Sequence, residues 1–271
     1  MTALDLLALE DLALAAGREI MAVYATNFET TRKTDGSPVT IADRRAEALI
    51  LEGLSRLAPG VPVVAEEEME AGRLPPLRAA FFLVDPLDGT RDFVERRAGE
   101  FTVNIGLIEN GAPTVGVVYA PATGQLYSGD PGGAFRTQCT AETARRCGER
   151  TRIRCAPQTA LRVLTSRTTK SEQLDRLLAR LDVGARQPMS SSVKFCLIAA
   201  GDWDLYPRLG QVNEWDVAAG HAILAAAGGG VIARDGGAMS YGKRAPDFLV
   251  NGFFAHAGGA AEAALRTVLA A

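Results

Sequence analysis

Only two histidines, His221 and His256, occur in the 271 residues, which excludes mechanisms that need several imidazoles. Cys139, Cys147, Cys155 and Cys196 form no C-x-x-C pair, which argues against zinc and makes a disulfide framework unnecessary. There is no excess of either charge: 29 basic and 32 acidic residues leave a net charge of −3, without a basic run, so a nucleic acid duplex is not an expected partner. No apolar stretch approaches the roughly 18 residues that a membrane helix requires. Asp5, Glu10 and Asp11 also break the N-terminal apolar pattern that a secretory leader would show. The expectation is a cytoplasmic protein without a transmembrane segment, with peripheral association to the inner membrane left open. Its length and 47% hydrophobic content allow a sizeable core, arranged as one large domain or two small ones.

What is present centres on Asp85-Pro86-Leu87-Asp88-Gly89-Thr90. The preceding run Ala79 to Val84 is apolar and rich in strand formers, so it predicts a buried strand with Asp85 at its C-terminal end and Pro86 stopping the ladder. Two carboxylates three residues apart at a turn offer hard oxygen ligands suited to Mg²⁺. Gly89-Thr90 would open a short helix through Asp92, Phe93 and Val94, with free amides available to an anion. The same residues also serve ordinary turn chemistry, in which Asp88 or Thr90 only caps a helix.

Several other segments supply possible company. Glu66 follows a short strand, Val61 to Ala65, and stands with Glu67 and Glu68 in an acidic run whose inward member alternation does not reveal. Thr40 and Asp43 form a capping-box pattern at the head of a helix that ends before Pro59-Gly60; a carboxylate in a first turn is also held rigidly enough to orient a water. Asp216 lies near the start of an apolar helix opened by Glu214-Trp215, where an Asp is also an ordinary dipole partner. Ser166-Arg167 and Ser190-Ser191-Ser192-Val193-Lys194 place hydroxyls and cations between a strand and a helix, as helix caps or as holders of a second phosphate. Arg208 adds a guanidinium before the Asp216 helix.

Periodicity predicts an amphipathic helix over residues 2–25 with a Thr2 cap, then a loop over Thr34 to Pro38. An antiparallel meander spans Phe101 to Phe135, with strands at Phe101–Glu109, Thr114–Tyr119 and Gln125–Tyr127. Residues 138–150 are polar and aperiodic, the best internal boundary. Beyond them, strands near 162–165, 185–187, 204–206, 230–232 and 248–250 alternate with helices near 171–182, 190–200, 215–227 and 257–270. The expected organisation is an α+β half over 1–137 that carries most metal ligands, and an α/β half over 151–271 that carries substrate-binding elements and the last ligand.

In this order the motifs resemble the lithium-sensitive, magnesium-dependent phosphatase superfamily that includes inositol monophosphatase, and within it the CysQ-type 3′(2′),5′-bisphosphate nucleotidases. The carriers are Lys33 to Asp43, Val64 to Glu67, Asp85 to Thr90, Gly99 to Ile105, Lys194 to Gly201 and Glu214 to Gly220. The resemblance implies an α/β/α/β/α layered sandwich of the inositol monophosphatase/fructose-1,6-bisphosphatase type. It implies two or three Mg²⁺ held by Glu66, Asp85, the Leu87 carbonyl, Asp88 and Asp216, with Asp43, Thr90 and Glu66 preparing the attacking water. The expected substrate contacts are Leu87, Asp88, Gly89, Thr90, Ser166, Arg167, Ser191, Lys194, Arg208 and Asp216. The implied substrate is a small phosphorylated nucleotide, adenosine 3′,5′-bisphosphate, and in some members its 5′-phosphosulfate form. Arg208 favours that branch, because polyol-phosphate members tend to carry an acidic residue there. A phosphatase of inositol or sugar phosphates is the alternative within the fold. An inactive phosphate-binding protein is the alternative outside catalysis, although every candidate ligand position holds an oxygen donor.

Overall fold

The computed structural model describes residues 4–32, 38–97, 99–167, 171–242 and 248–270. From the N-terminus, α1 (Leu6–Tyr24), strands β1 (Thr30–Arg32) and β2 (Pro38–Thr40), and α2 (Ile41–Leu57) lead to β3 (Val63–Ala65), α3 (Glu66–Glu70), β4 (Ala80–Asp88) and α4 (Thr90–Val94). Then come β5 (Thr102–Glu109), β6 (Ala112–Ala120), β7 (Gln125–Asp130), β8 (Gly133–Gln138) and β9 (Thr151–Ile153). The rest is β10 (Leu161–Ser166), α5 (Glu172–Leu178), β11 (Val183–Met189), α6 (Val193–Ala199), β12 (Leu205–Arg208), β13 (Val212–Asn213), α7 (Trp215–Ala226), β14 (Gly230–Ala233), β15 (Leu249–Val250), β16 (Phe253–His256) and α8 (Gly259–Leu269).

Strands β3 to β9 form a seven-stranded sheet in sequential order, and β11-β10-β12-β16-β14 form a five-stranded one. Period-two alternation decides what each face of the larger sheet covers. Phe82, Val84, Ile105, Leu107 and Val117 pack under α1 and α2, whereas Phe81, Leu83, Ile108 and Val118 face α6, α7 and the second sheet. The outer face of the second sheet packs Leu205, Ile232 and Phe254 against Leu174 and Leu178 of α5 and Leu265 of α8. The result is the expected five-layer α/β/α/β/α sandwich, with α6 and α7 as its middle layer.

Helix α7 enters that layer because the sheet beneath it has no side chains in its way. Gly106, Gly116 and Gly129 are lateral neighbours on β5, β6 and β7. A Cβ on Gly116 would lie 2.2 Å from the Ala219 carbonyl oxygen, one on Gly106 2.9 Å from the Ala219 nitrogen, and one on Gly129 2.8 Å from Ile223 Cα. On the helix itself, a Cβ on Gly220 would lie 2.6 Å from the Phe195 ring of α6.

The structure differs from the sequence expectations at definite places. Helix α1 starts at Leu6, where the Asp5 carboxylate accepts the Leu7 amide; Thr2 lies outside the described residues, as do 34–37 of the expected loop. Pro86 does not end its strand: β4 continues to Asp88, which pairs with Thr102, because Pro86 and Leu87 are taken up in a bulge where no ladder N–H is required. Strand β16 was not expected, although it is the antiparallel strand between β12 and β14. The predicted strand at 248–250 reduces to Leu249–Val250, paired only with Val212–Asn213. The polar segment 138–150 is fastened to α1, where Arg146 and Arg150 reach the buried Glu10 carboxylate at 3.0 and 3.1 Å.

Gly116→Ala should lower stability by about 1–3 kcal/mol, the usual cost of overpacking, because its methyl meets main chain rather than a flexible side chain. An unchanged urea midpoint would show that α7 is free to shift away from the sheet.

Candidate active site

Asp85, Asp88 and Asp216 converge although they come from different layers. One oxygen of each lies within 4.8 Å of the others. Asp85 and Asp88 are brought in by the end of β4 and its bulge, and Asp216 by the first turn of α7. Each carboxylate has one oxygen held by a protein donor. Asp85 Oδ1 accepts the Leu87 amide at 2.9 Å, and Asp216 Oδ2 accepts the Asn213 amide at 2.8 Å. Asp88 Oδ2 accepts both the amide and the hydroxyl of Ser192, at 2.5 and 2.7 Å.

Burial pushes Asp85 well above the usual carboxylate range, and the neighbouring charges of Glu66, Asp88 and Asp216 add to the effect. Asp216 is raised by burial and then by Asp88 and Glu66. Like charges gathered in a partly desolvated place call for a counter-charge, and an all-oxygen donor set suits a hard divalent cation. The residues present therefore fit a metal centre.

The acidic run is sorted by α3. Glu66 turns to Asp85 and Asp216, Glu67 acts on Asp43 and Glu47, and Glu68 pairs with Arg73 at 2.6 Å. The buried Glu47 of α2 accepts the Glu67 amide at 2.8 Å, which ties the start of α3 to α2. Burial lifts Glu47 to about 7, against the pull of that amide.

Asp43 stands behind Thr90. Thr40 closes a capping box in which the Asp43 Oδ2 accepts the Thr40 amide and hydroxyl, both at 2.8 Å. The other oxygen, Oδ1, lies 3.0 Å from Thr90 Oγ1, and that hydroxyl is equally 3.0 Å from the Leu87 carbonyl. Desolvation raises Asp43 to about 6, opposed by the Thr40 hydrogen bonds. Gly89 takes a left-handed φ of 87° before α4, and a Cβ there would lie 2.5 Å from the Glu100 carbonyl oxygen, so the turn needs glycine on both counts.

A cleft of about 380 Å³ opens over these groups, lined by Glu66, Asp88, Thr90 and Asp216 and also by Ser166, Ser192, Lys194, Tyr206 and Arg208. Lys194 is buried, with its ammonium 4.7 Å from the Tyr206 ring centre and hydrogen-bonded to the Ser191 carbonyl. Burial lowers it to about 8, against the opposing pull of Asp88. Arg208 donates to Ser166 Oγ at 2.7 Å. Arg167 is not brought into the cleft wall; it pairs with Glu100, Nε to Oε2 at 3.0 Å, and its neighbours 168–170 lie outside the described residues. Ser191 and Gly89 line the cleft, whereas Asp43, Asp85 and Leu87 lie behind its surface.

Sequence reasoning missed Ser192, Asn104 and Glu47. The first two stood inside quoted motifs, but a serine run does not say which hydroxyl points where. His221 lies within α7, where burial lowers it to about 4, and its Nδ1 lies 2.9 Å from the Tyr241 hydroxyl.

Five layers, a carboxylate cluster between sheets and a Thr–Asp pair beside it describe a metal-dependent phosphatase, and the inositol monophosphatase family profile matches residues 5–269; the chain belongs to that family. Within it, the chain is similar to the 3′(2′),5′-bisphosphate nucleotidase CysQ of Salmonella typhimurium, 43% identical over 89% of this chain and 95% of that protein. The CysQ of Escherichia coli K12 is 41% identical over the same shares. Among solved structures, CysQ from Bacteroides thetaiotaomicron superposes with a TM-score of 0.73 at 32% identity, covering 93% of this chain and 96% of that one. Inositol monophosphatase from Anabaena gives 0.73 at 27% identity, covering 98% and 95%.

The raised carboxylates make stability depend on pH. Asp43 and Glu47 bind protons more tightly folded than unfolded, so their contribution is complete below their ordinary values of 3.8 and 4.5 and is lost as pH rises through about 6 and 7. In the presence of a chelator, the melting temperature should therefore fall between pH 5 and pH 8, on the order of those shifts. A divalent cation should flatten or invert the trend, because ligands must be ionised to bind it. A melting temperature that rises with pH in chelator would contradict the assignment.

Proposed function

We propose that the chain is a Mg²⁺-dependent 3′(2′),5′-bisphosphate nucleotidase that removes the 3′-phosphate of adenosine 3′,5′-bisphosphate, with its 5′-phosphosulfate form as a further substrate. The single observation that carries this reading is one cleft lined both by the carboxylates Glu66, Asp88 and Asp216 and by two cations, Lys194 and Arg208. A substrate with two phosphates offers one to a carboxylate-held metal and the other to the cations. The CysQ names of the relatives support it.

Glu66, Asp85, the Leu87 carbonyl, Asp88 and Asp216 would hold the metal, two or three ions of Mg²⁺. When bound, such cations would supply charge neutralisation for the phosphate and for the departing alkoxide and would lower the pKa of a water. Asp43 and Thr90 handle the proton: the Thr90 hydroxyl donates to Asp43 Oδ1, which turns its oxygen lone pair toward a water that gives up its own proton in turn. A carboxylate raised to about 6 is a better base than an ordinary Asp and still ionised at neutral pH. The amides of Gly89 and Thr90 would hold oxygens of the phosphate under attack.

Lys194 and Arg208 would take the second phosphate. Lys194 supplies a point charge with little freedom to move, and Arg208 a planar fork steadied by Ser166. Ser191 borders the same space through its own left-handed backbone, φ 59°.

Two experiments test the reading. Arg208→Glu should cut kcat/KM for adenosine 3′,5′-bisphosphate by about 10²-fold or more and leave inositol 1-phosphate turnover within a few-fold, since a charge-assisted phosphate contact is lost and reversed. Equal loss on both substrates would remove the second-phosphate role. Asp43→Asn should lower kcat by about 10²–10⁴-fold with little change in KM, the range for a lost proton acceptor. Phosphate release that persists in EDTA, or binding of these substrates without any release in Mg²⁺, would overturn the metal-dependent reading.

A further inference from the structure

We propose that Ser192 is a positioning residue that sets the distance between Asp88 and Asp216 and thereby the affinity of the site for its cation. This rests on the metal-centre reading and adds to it a residue that borders the cleft and whose hydroxyl is engaged by the proposed ligands' own segments.

Ser192 is 2% exposed and occupies the N-cap position of α6. A serine there ordinarily accepts an amide of its own helix's first turn. Here its side chain makes no such bond; the neighbouring Ser191 hydroxyl takes the Val193 amide instead, at 3.4 Å. The Ser192 oxygen is diverted to three partners from elsewhere. It lies 2.7 Å from Asp88 Oδ2 and 2.7 Å from the Asp216 carbonyl oxygen, sharing its one proton between them, and it accepts from Asn104 Nδ2 at 2.9 Å. Asn104 is the ladder partner of Asp85 across β4 and β5. One hydroxyl therefore touches the β4 bulge, the strand beside Asp85 and the first turn of α7.

The segment that carries Ser192 is itself held in place. Glu100 accepts the Ser190 amide at 2.9 Å while pairing with Arg167, and the left-handed Ser191 turns the chain so that the next residue faces back to Asp88. Asp88 and Asp216 carry like charges and belong to separate layers, so nothing in their own chemistry keeps them close. A hydroxyl that reaches one carboxylate and the main chain of the other opposes their separation. Partners that orient metal ligands in this way typically change metal affinity about 10–100-fold when removed.

The test is Mn²⁺ binding to substrate-free protein, read by electron paramagnetic resonance of the free ion, on wild type, Ser192→Ala, Ser192→Thr and Asp216→Asn. Ser192→Ala keeps the main-chain bond to Asp88 and should bind Mn²⁺ at least about 10-fold more weakly. Its KM for nucleotide at saturating Mg²⁺ should stay within about two-fold, because the hydroxyl's hydrogen bonds are taken up by Asp88, the Asp216 carbonyl and Asn104. Ser192→Thr, which restores a hydroxyl, should recover most of the affinity. Wild-type affinity in Ser192→Ala overturns the positioning role alone, whereas wild-type affinity in Asp216→Asn overturns the metal-centre reading beneath it. Should Ser192→Ala not fold, Asn104→Leu removes the donor that orients the hydroxyl, and unchanged Mn²⁺ affinity there overturns the proposal equally.

Discussion

The contact on which the rest of this molecule depends is the close approach of α7 to the seven-stranded sheet over Gly106, Gly116 and Gly129. Main chain meets main chain there, with no side chain between, which is why the helix lies deep enough for its first turn to stand beside the end of β4. Asp216 reaches Asp85 and Asp88 only through that depth. Were the helix one side-chain layer further out, the carboxylate cluster would open by more than a cation could span. The other side of α7 is equally committed, since Gly220 accepts the Phe195 ring and α6 with it. The same packing therefore places Ser192, at the head of α6, between the aspartates.

A folded site of this kind carries an electrostatic cost that its hydrogen bonds reduce but do not remove. Burial and mutual repulsion raise Asp85 and Asp216, and the same forces reach Asp43 and Glu47 behind them. Donors are placed accordingly: Leu87, Asn213 and Ser192 each satisfy one oxygen, so the carboxylates retain others for a cation. A divalent cation at the proposed metal centre would offset that repulsion. The same cleft is lined by a buried lysine and a steadied arginine, so side chains of both charge signs border one small space.

Arg167 shows how partner choice overrides local pattern. Its position after β10 and beside Ser166 fits a phosphate ligand, yet Glu100, just before β5, takes it. The ion pair is partly exposed and contributes modestly to stability. Its structural consequence is larger, because the same carboxylate anchors Ser190 and with it the loop that ends in Ser192.

The sequence by itself determined the local elements and the chemical type of the site. Alternation and helical spacing, the Thr40–Asp43 capping box and the Asp85 to Thr90 turn are set by interactions within a few residues, so they were legible there, as was the five-layer fold through its ordered motifs. Short-range signals were weaker where the sheet decided. Pro86 looked like a strand end because its missing N–H is a local fact, whereas the bulge that tolerates it depends on β5. Phe253–His256 was passed over because four apolar residues do not declare a strand without the partners on either side. Only the tertiary structure decided which glutamate of Glu66, Glu67 and Glu68 turns to the aspartates, which serine of the 190–192 run bridges them, and that Arg167 is already taken. Each of those outcomes is a choice among chemically similar side chains made by partners from separate elements, and periodicity carries no information about contacts at that separation.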